Sequence, residues 1–152
     1  MAHRWRTDTF AALSNETLYA ILRLRQEVFV VEQQSIYLDL DDRDQQALHM
    51  QCYDGERLVA YQRLLPPGLS YTESAMGRIV VSPGARGRDL GRELVREGLA
   101  YNLARWPEHD IRINAQSYLQ RFYRELGFEV SSDEYDEDGI PHVQMLYRRP
   151  TG

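Results

Sequence analysis

Gly77–Leu103, GRIVVSPGARGRDLGRELVREGLAYNL, is the stretch around which the rest of the chain is arranged. It opens with an apolar β-branched run, Ile79-Val80-Val81, which reads as a buried strand. Ser82-Pro83-Gly84 turns the chain, and Arg86-Gly87-Arg88-Asp89-Leu90-Gly91 leads straight into a helical pattern. Leu90, Leu94, Val95, Leu99 and Leu103 form that helix's apolar stripe. Strand, glycine loop and helix in this order aim free backbone N–H groups at an anion, above all a phosphate. Gly87 and Gly91 let a ligand approach the main chain. Arg86, Arg88, Arg92 and Arg96 crowd the helix start, where the macrodipole disfavours cations. Four there point to a polyanionic ligand. The spacing is not G-x-G-x-x-G and no Gly-Lys-Ser/Thr follows, so neither nucleotide fingerprint applies.

Working outward, 152 residues at 43% hydrophobic suit one domain spanning 1–152 with its own core. The net charge of −5 argues against nonspecific nucleic-acid binding and makes the arginine cluster a local feature. Cys52 is the single cysteine, so no internal disulfide forms. No signal-peptide pattern and no run of about 20 apolar residues is present, so the expected site is the reducing cytoplasm, with no membrane partner.

Residues 3–10 read as a short strand. Ser14 is an N-cap, and Leu18, Ile21, Leu22, Val28 and Phe29 give helical spacing to about residue 31. Arg25 lies on that apolar stripe, either snorkelling to the surface or serving a structural or ligand-facing role. Asp39, Asp41, Asp42 and Asp44 crowd the next loop. A calcium-loop register fails there, with Asp44 at the sixth position and Met50 at the twelfth. The loop reads as solvated and able to attract a cationic substrate, and no metal is expected. Residues 47–53 and 57–65 form a hairpin around Asp54-Gly55. Residues 66–75 are a loop and 111–115 a strand. Ser117–Leu126 is a helix that Gly127 ends. Phe128–Tyr135 and Val143–Arg148 make a last hairpin across Asp138-Gly139-Ile140-Pro141. The result is an α/β (α+β) layered domain with a mixed sheet.

Arg86-x-x-Asp89-x-Gly91 after a β-branched strand resembles the Gln/Arg-x-x-Gly-x-Gly/Ala loop of the GNAT acyltransferases, with Asp89 where the family usually has glycine. Gln116 to Phe128 resembles a second family segment, with Tyr123-x-x-x-Gly127-Phe128 fitting in full. Leu24-Arg25-x-x-Val28-Phe29-Val30-Val31-Glu32-Gln33 and Glu137-Asp138-Gly139-Ile140-Pro141-His142-x-x-Met145 look like the ElaA-type branch. The resemblance implies the GNAT fold, a mixed, mostly antiparallel sheet of six or seven strands flanked by helices. It implies acetyl-CoA as co-substrate and N-acetyl transfer to a primary amine by direct attack in a ternary complex. It places the cofactor on Ile79, Val80, Val81, Arg86, Gly87, Arg88, Asp89, Leu90, Gly91, Arg92, Gln116 and Tyr123, with backbone N–H groups of 79–81 polarising the thioester carbonyl.

Tyr123 is then the acid that protonates the leaving thiolate. A phenol with a pKa near 10 keeps its proton at pH 7 while a thiol near 8.5 departs, so the chemistry is sound on its own terms. An ammonium acceptor needs a base, for which Glu32, His49 and His142 are the candidates; Glu32 also serves to fix the substrate by charge. The acceptor is a small-molecule or peptide amine, and a homodimer is common in the family. The alternative is a non-catalytic acyl-CoA-binding sensor or interaction module on this fold. Acyl-homoserine-lactone synthesis needs a longer chain.

Overall fold

The computed structural model describes residues 3–151. Strand β1 (Arg4–Thr9) is followed by helix α1 (Asn15–Arg25), which runs on into a π-helical segment, Gln26–Glu32. Then come β2 (Leu48–Asp54), β3 (Arg57–Leu65), β4 (Ser74–Val81), α2 (Leu90–Arg105) and β5 (Ile111–Gln116). Helix α3 (Gln120–Glu125), β6 (Glu129–Val130), β7 (Tyr135–Glu137) and β8 (Ile140–Tyr147) complete the chain. The eight strands form one sheet in the order β1-β2-β3-β4-β5-β8-β6, with β7 also paired to β8. Every pairing is antiparallel except β4 with β5.

The expected strand at 128–135 is interrupted and becomes β6 and β7, which is why the sheet has eight strands. Its Ser-Ser-Asp-Glu stretch has low β propensity. Strand β4 begins at Ser74, inside the expected loop. The last turn is also shorter than expected. Asp138 and Gly139 both take positive φ, 54° and 82°, the requirement of a two-residue type I′ hairpin. Ile140 and Pro141 therefore lie in β8, and Pro141 faces Asp136 in register.

Residues next to each other on a strand face opposite sides of the sheet. Tyr61 packs under α1 with Ile21, Leu24, Val28 and Val80. Its neighbour Gln62 points the other way and donates to the Leu94 carbonyl of α2 at 2.7 Å. The two helices thus cover opposite faces. Gly98 sets how close α2 comes: a Cβ there would sit 2.6 Å from the Gln62 amide and the Met76 methyl. The main core joins Met76, Val95, Leu99, Ile113, Tyr123, Leu126, Phe128, Val143 and Met145 beneath α2 and α3. Ser14 caps α1 as expected, its hydroxyl accepting from the Thr17 N–H at 3.1 Å.

Candidate active site

The parallel pair is the weak seam of the sheet. Strands β4 and β5 are in register only at Ser74–Ile111 and Ala75–Arg112. Beyond that point both strands line a cleft of about 780 Å³. The edge of β4 facing β5 has no strand partner there, so its alternate N–H and C=O groups face the cleft. A bulge sharpens the opening. Tyr61 opposes Val80 and Arg63 opposes Gly77, so two residues of β4, Arg78 and Ile79, lie opposite the single Gln62 of β3. Arg78, inside the bulge, takes φ 51°. Its guanidinium is tied to the Asp39 carboxylate at 2.8 Å and the Asp39 carbonyl at 2.9 Å.

Val81, Arg86, Gln116, Tyr118 and Leu119 are among the residues that line the cleft. Beyond Arg86 the loop runs into α2. Gly87 takes φ 84° and Asp89 φ 62°. The left-handed backbone at 89 explains why glycine suits this position and why aspartate is tolerated. The Asp89 side chain is 77% exposed and leans to Arg92 at 3.4 Å. It does not cap the helix, and no other side chain among the described residues does. The first N–H groups of a sixteen-residue helix are thus free of side-chain partners. A Cβ at Gly87 would meet nothing within 4 Å, so the main chain is open there.

Arg86 is already engaged. It holds Glu32 in a bidentate pair at 2.7 and 2.8 Å. The pair holds the Glu32 carboxyl below its ordinary range, which makes Glu32 a poor base while Arg86 stays on it. The π-helical segment is what brings Glu32 there, since the extra residue per turn rotates the last turn of the helix. Gln116 donates to Gln33 at 3.0 Å in the same cleft.

Tyr123 lines the cleft and is buried. The Phe128 N–H bonds the Tyr123 carbonyl at 3.1 Å and Gly127 takes φ 106°, a helix-ending pattern that fixes the α3 backbone. Phe122 and Phe128 meet the tyrosine ring edge-on at 5.1 and 5.8 Å. Burial pushes the phenol up, so it keeps its proton across the neutral range.

His142 also lines the cleft, on β8, and is 8% exposed. Its Nδ1 lies 2.8 Å from the Ile140 carbonyl oxygen. A carbonyl only accepts, so Nδ1 carries the proton and Nε2 keeps the lone pair in the neutral ring. His49 is different. It is fully buried, with Nδ1 at 2.7 Å from the Tyr61 hydroxyl and Nε2 at 2.8 Å from the Asp44 carbonyl. Both nitrogens are occupied away from the cleft, which removes His49 as a base.

Of the four aspartates in the acidic loop only Asp42 is exposed, so the loop is not the solvated run expected. Asp39 and Asp44 are buried, and Arg25 is fully buried between them at 2.9 and 2.8 Å. Arg63 bonds Asp44 at 3.0 Å and also pairs with Asp41. Arg25 is therefore structural: it pins loop 33–44 over the sheet. Burial raises the Asp41 and Asp44 carboxyls, but the arginines outweigh it and hold both below the usual range. Cys52 is buried, and burial pushes its thiol up to about 12, so it is an inert core residue.

The structure thus brings Ile79, Val80, Val81, Arg86, Gln116, Tyr123, Glu32 and His142 to one cleft. Gly87, Arg88, Asp89, Gly91 and Arg92 continue from its Arg86 end without lining it, and the Leu90 side chain is in the core. Sequence reasoning gave no site role to Asn114 or Tyr135, and it quoted Glu137 only as part of the Glu137–Met145 motif. They meet only because β5 and β7 both pair with β8.

The Acetyltransferase (GNAT) domain family matches residues 11–149. This chain belongs to the GNAT acyltransferases. Protein ElaA of Escherichia coli is 37% identical over 143 residues, covering 93% of this chain and 94% of that one. A UPF0039 protein of Synechocystis is 40% identical over 151 residues, covering 99% and 98% of the two chains. The crystal structure of an acyl-CoA N-acyltransferase from Pseudomonas aeruginosa matches at TM-score 0.92 and 36% identity, over 97% of this chain and all of that one. The ElaA-type GNAT fold expected from the two motifs is thus the fold observed, and the chain is an acyltransferase.

Proposed function

We propose that the chain moves an acetyl group from acetyl-CoA to a primary amine, small or peptide-borne, in the cytoplasm, with both substrates bound together. The observation that carries this is the cleft itself: a parted β4–β5 seam with a side-chain-free helix N-terminus at one end and the protonated Tyr123 hydroxyl inside. Those residues fit the cofactor. Free N–H groups at 87–92 and Arg86 suit its diphosphate, and the exposed edge of β4 suits its amide-bearing arm. When bound, acetyl-CoA supplies an acyl carbon activated by thiolate as leaving group.

The chain's residues do the rest. The β4 N–H groups at 79–81 donate to the oxygen that gathers charge as nitrogen adds to the carbonyl. Tyr123 gives its proton to sulfur as the C–S bond breaks. His142 removes one proton from the ammonium before attack and passes it to solvent. The second proton lost by nitrogen restores the Tyr123 phenol. The products are amide, free thiol and one proton.

Thiol release from acetyl-CoA against a panel of amines, polyamines and peptide N-termini tests the reading. Tyr123→Phe should cut turnover about 10²–10⁴-fold while coenzyme A still binds. Unchanged turnover removes Tyr123 as the acid.

A further inference from the structure

We propose that the acceptor nitrogen binds in the gap between His142 Nε2 and Glu137 Oε2, on the wall of the cleft formed by β7, β8 and β5. This rests on the acetyl-transfer reading and specifies where and how its second substrate is held. The two atoms are 3.7 Å apart. That is too far for a direct hydrogen bond, but one polar atom at about 2.8 Å from each closes the triangle. His142 is buried, with 11% of its side chain exposed, and its Nε2 has no hydrogen-bond partner among the described residues. The Nδ1–H bond to Ile140 fixes the tautomer that aims the lone pair into the gap.

Glu137 is held for the purpose. The Asn114 side-chain amide on β5 donates to its Oε2 at 2.6 Å, and the Tyr135 hydroxyl donates to Asn114 Oδ1. Glu137 faces Ile140 across the tight Asp138-Gly139 turn, and Tyr135 faces His142 with the two rings stacked at 6.3 Å. Ser35 ties the same turn to the loop after α1 by donating to the Asp138 carbonyl at 3.2 Å. The acceptor class follows from this chemistry. The gap offers one carboxylate and one neutral imidazole lone pair, both of which accept. A protonated primary amine brings three donors and a charge to match. Glu137 and Asn114 hold and place the ammonium. The proton on nitrogen moves to Nε2, giving an imidazolium beside the Glu137 carboxylate and a free amine lone pair. The imidazolium then releases its proton to solvent. Tyr135 and Glu137 are the titratable groups against the ring.

The test begins with protein labelled with ¹⁵N in its histidines and titrated with coenzyme A, then with n-butylamine. The free protein should show the Nδ1–H tautomer at His142. In the coenzyme A complex, n-butylamine should shift the His142 nitrogens in wild type and not in Glu137→Gln. With any amine turned over, Glu137→Gln should raise KM for that amine about 10- to 100-fold and leave coenzyme A affinity within twofold. His142→Gln should instead lower kcat. An Nε2–H tautomer, an unmoved His142 signal in wild type, or an equal shift in Glu137→Gln overturns the proposal. Failure of coenzyme A to bind in the first titration overturns the acetyl-transfer reading beneath it.

Discussion

Two of the chain's arginine–carboxylate pairings serve opposite ends. Arg25 and Arg63 sit in the protein with Asp39, Asp41 and Asp44, almost closed to water. Arg86 and Glu32 pair at the mouth of the cleft, with each side chain 43% exposed. The distances are alike, yet the energetics are not. A buried pair cannot lose one member without stranding a charge, so it is fixed. An exposed pair is worth about 0–1 kcal/mol and exchanges readily for a stronger anion. The difference identifies which arginine is free to meet a ligand: Arg86 can leave Glu32 for a diphosphate, and Arg25 can leave nothing.

That contrast can be broken by substitution. Arg25→Ala should cost about 3–5 kcal/mol of stability, because Asp39 and Asp44 each lose one of two arginine partners in a buried cluster. Urea unfolding measures it, and a loss below about 1 kcal/mol would place Arg25 in a wetter setting than described. Acid strains the same cluster more gently. Asp41 and Asp44 have folded values below their unfolded ones, so their contribution is present above about pH 4 and is lost as pH falls further. Burial pushes His49 down, and its contribution is therefore lost earlier, as pH falls below about 6.5. Urea midpoints at neutral, mildly acidic and strongly acidic pH should decline in that sequence; a flat profile contradicts the buried assignment.

The exposed pair should behave the other way. Arg86→Ala should weaken coenzyme A binding about tenfold or more, the loss of a charge-assisted bond, with an unchanged unfolding midpoint. Calorimetry reads the first and urea the second. The smallest effect is that of Glu32→Gln. It frees Arg86 in advance and should tighten coenzyme A binding by no more than a few-fold. Weaker binding would mean that Glu32 orients Arg86 rather than competing for it.

The sequence made the cofactor end readable because its parts are contiguous. Val81, the Arg86–Gly91 loop and the α2 stripe follow one another in the single stretch 81–103, and the Tyr123–Phe128 segment carries its own helix and stop. Asp89 was visible as a departure, but its left-handed backbone was not, because φ is not written in residue order. The acidic loop misled for a physical reason. Four aspartates in six residues look solvated until arginines from α1, β3 and β4 converge on three of them. Arg25 on an apolar stripe was the one local sign of that. The acceptor wall was hidden more deeply. Asn114 and Glu137 are twenty-three residues apart and meet through a shared neighbour strand. The π-helical turn that carries Glu32 has no sequence signature at all beside the helix it extends.

The central claim is that the free amides after Arg86 receive a diphosphate while the acyl group enters the β4–β5 seam. A crystal structure with acetyl-CoA tests it most directly. Phosphate oxygens should lie on the N–H groups of 87–92, with Arg86 turned from Glu32 toward them and the sulfur beside the Tyr123 hydroxyl. Cofactor lying outside the seam, with Arg86 still clasping Glu32, would contradict it.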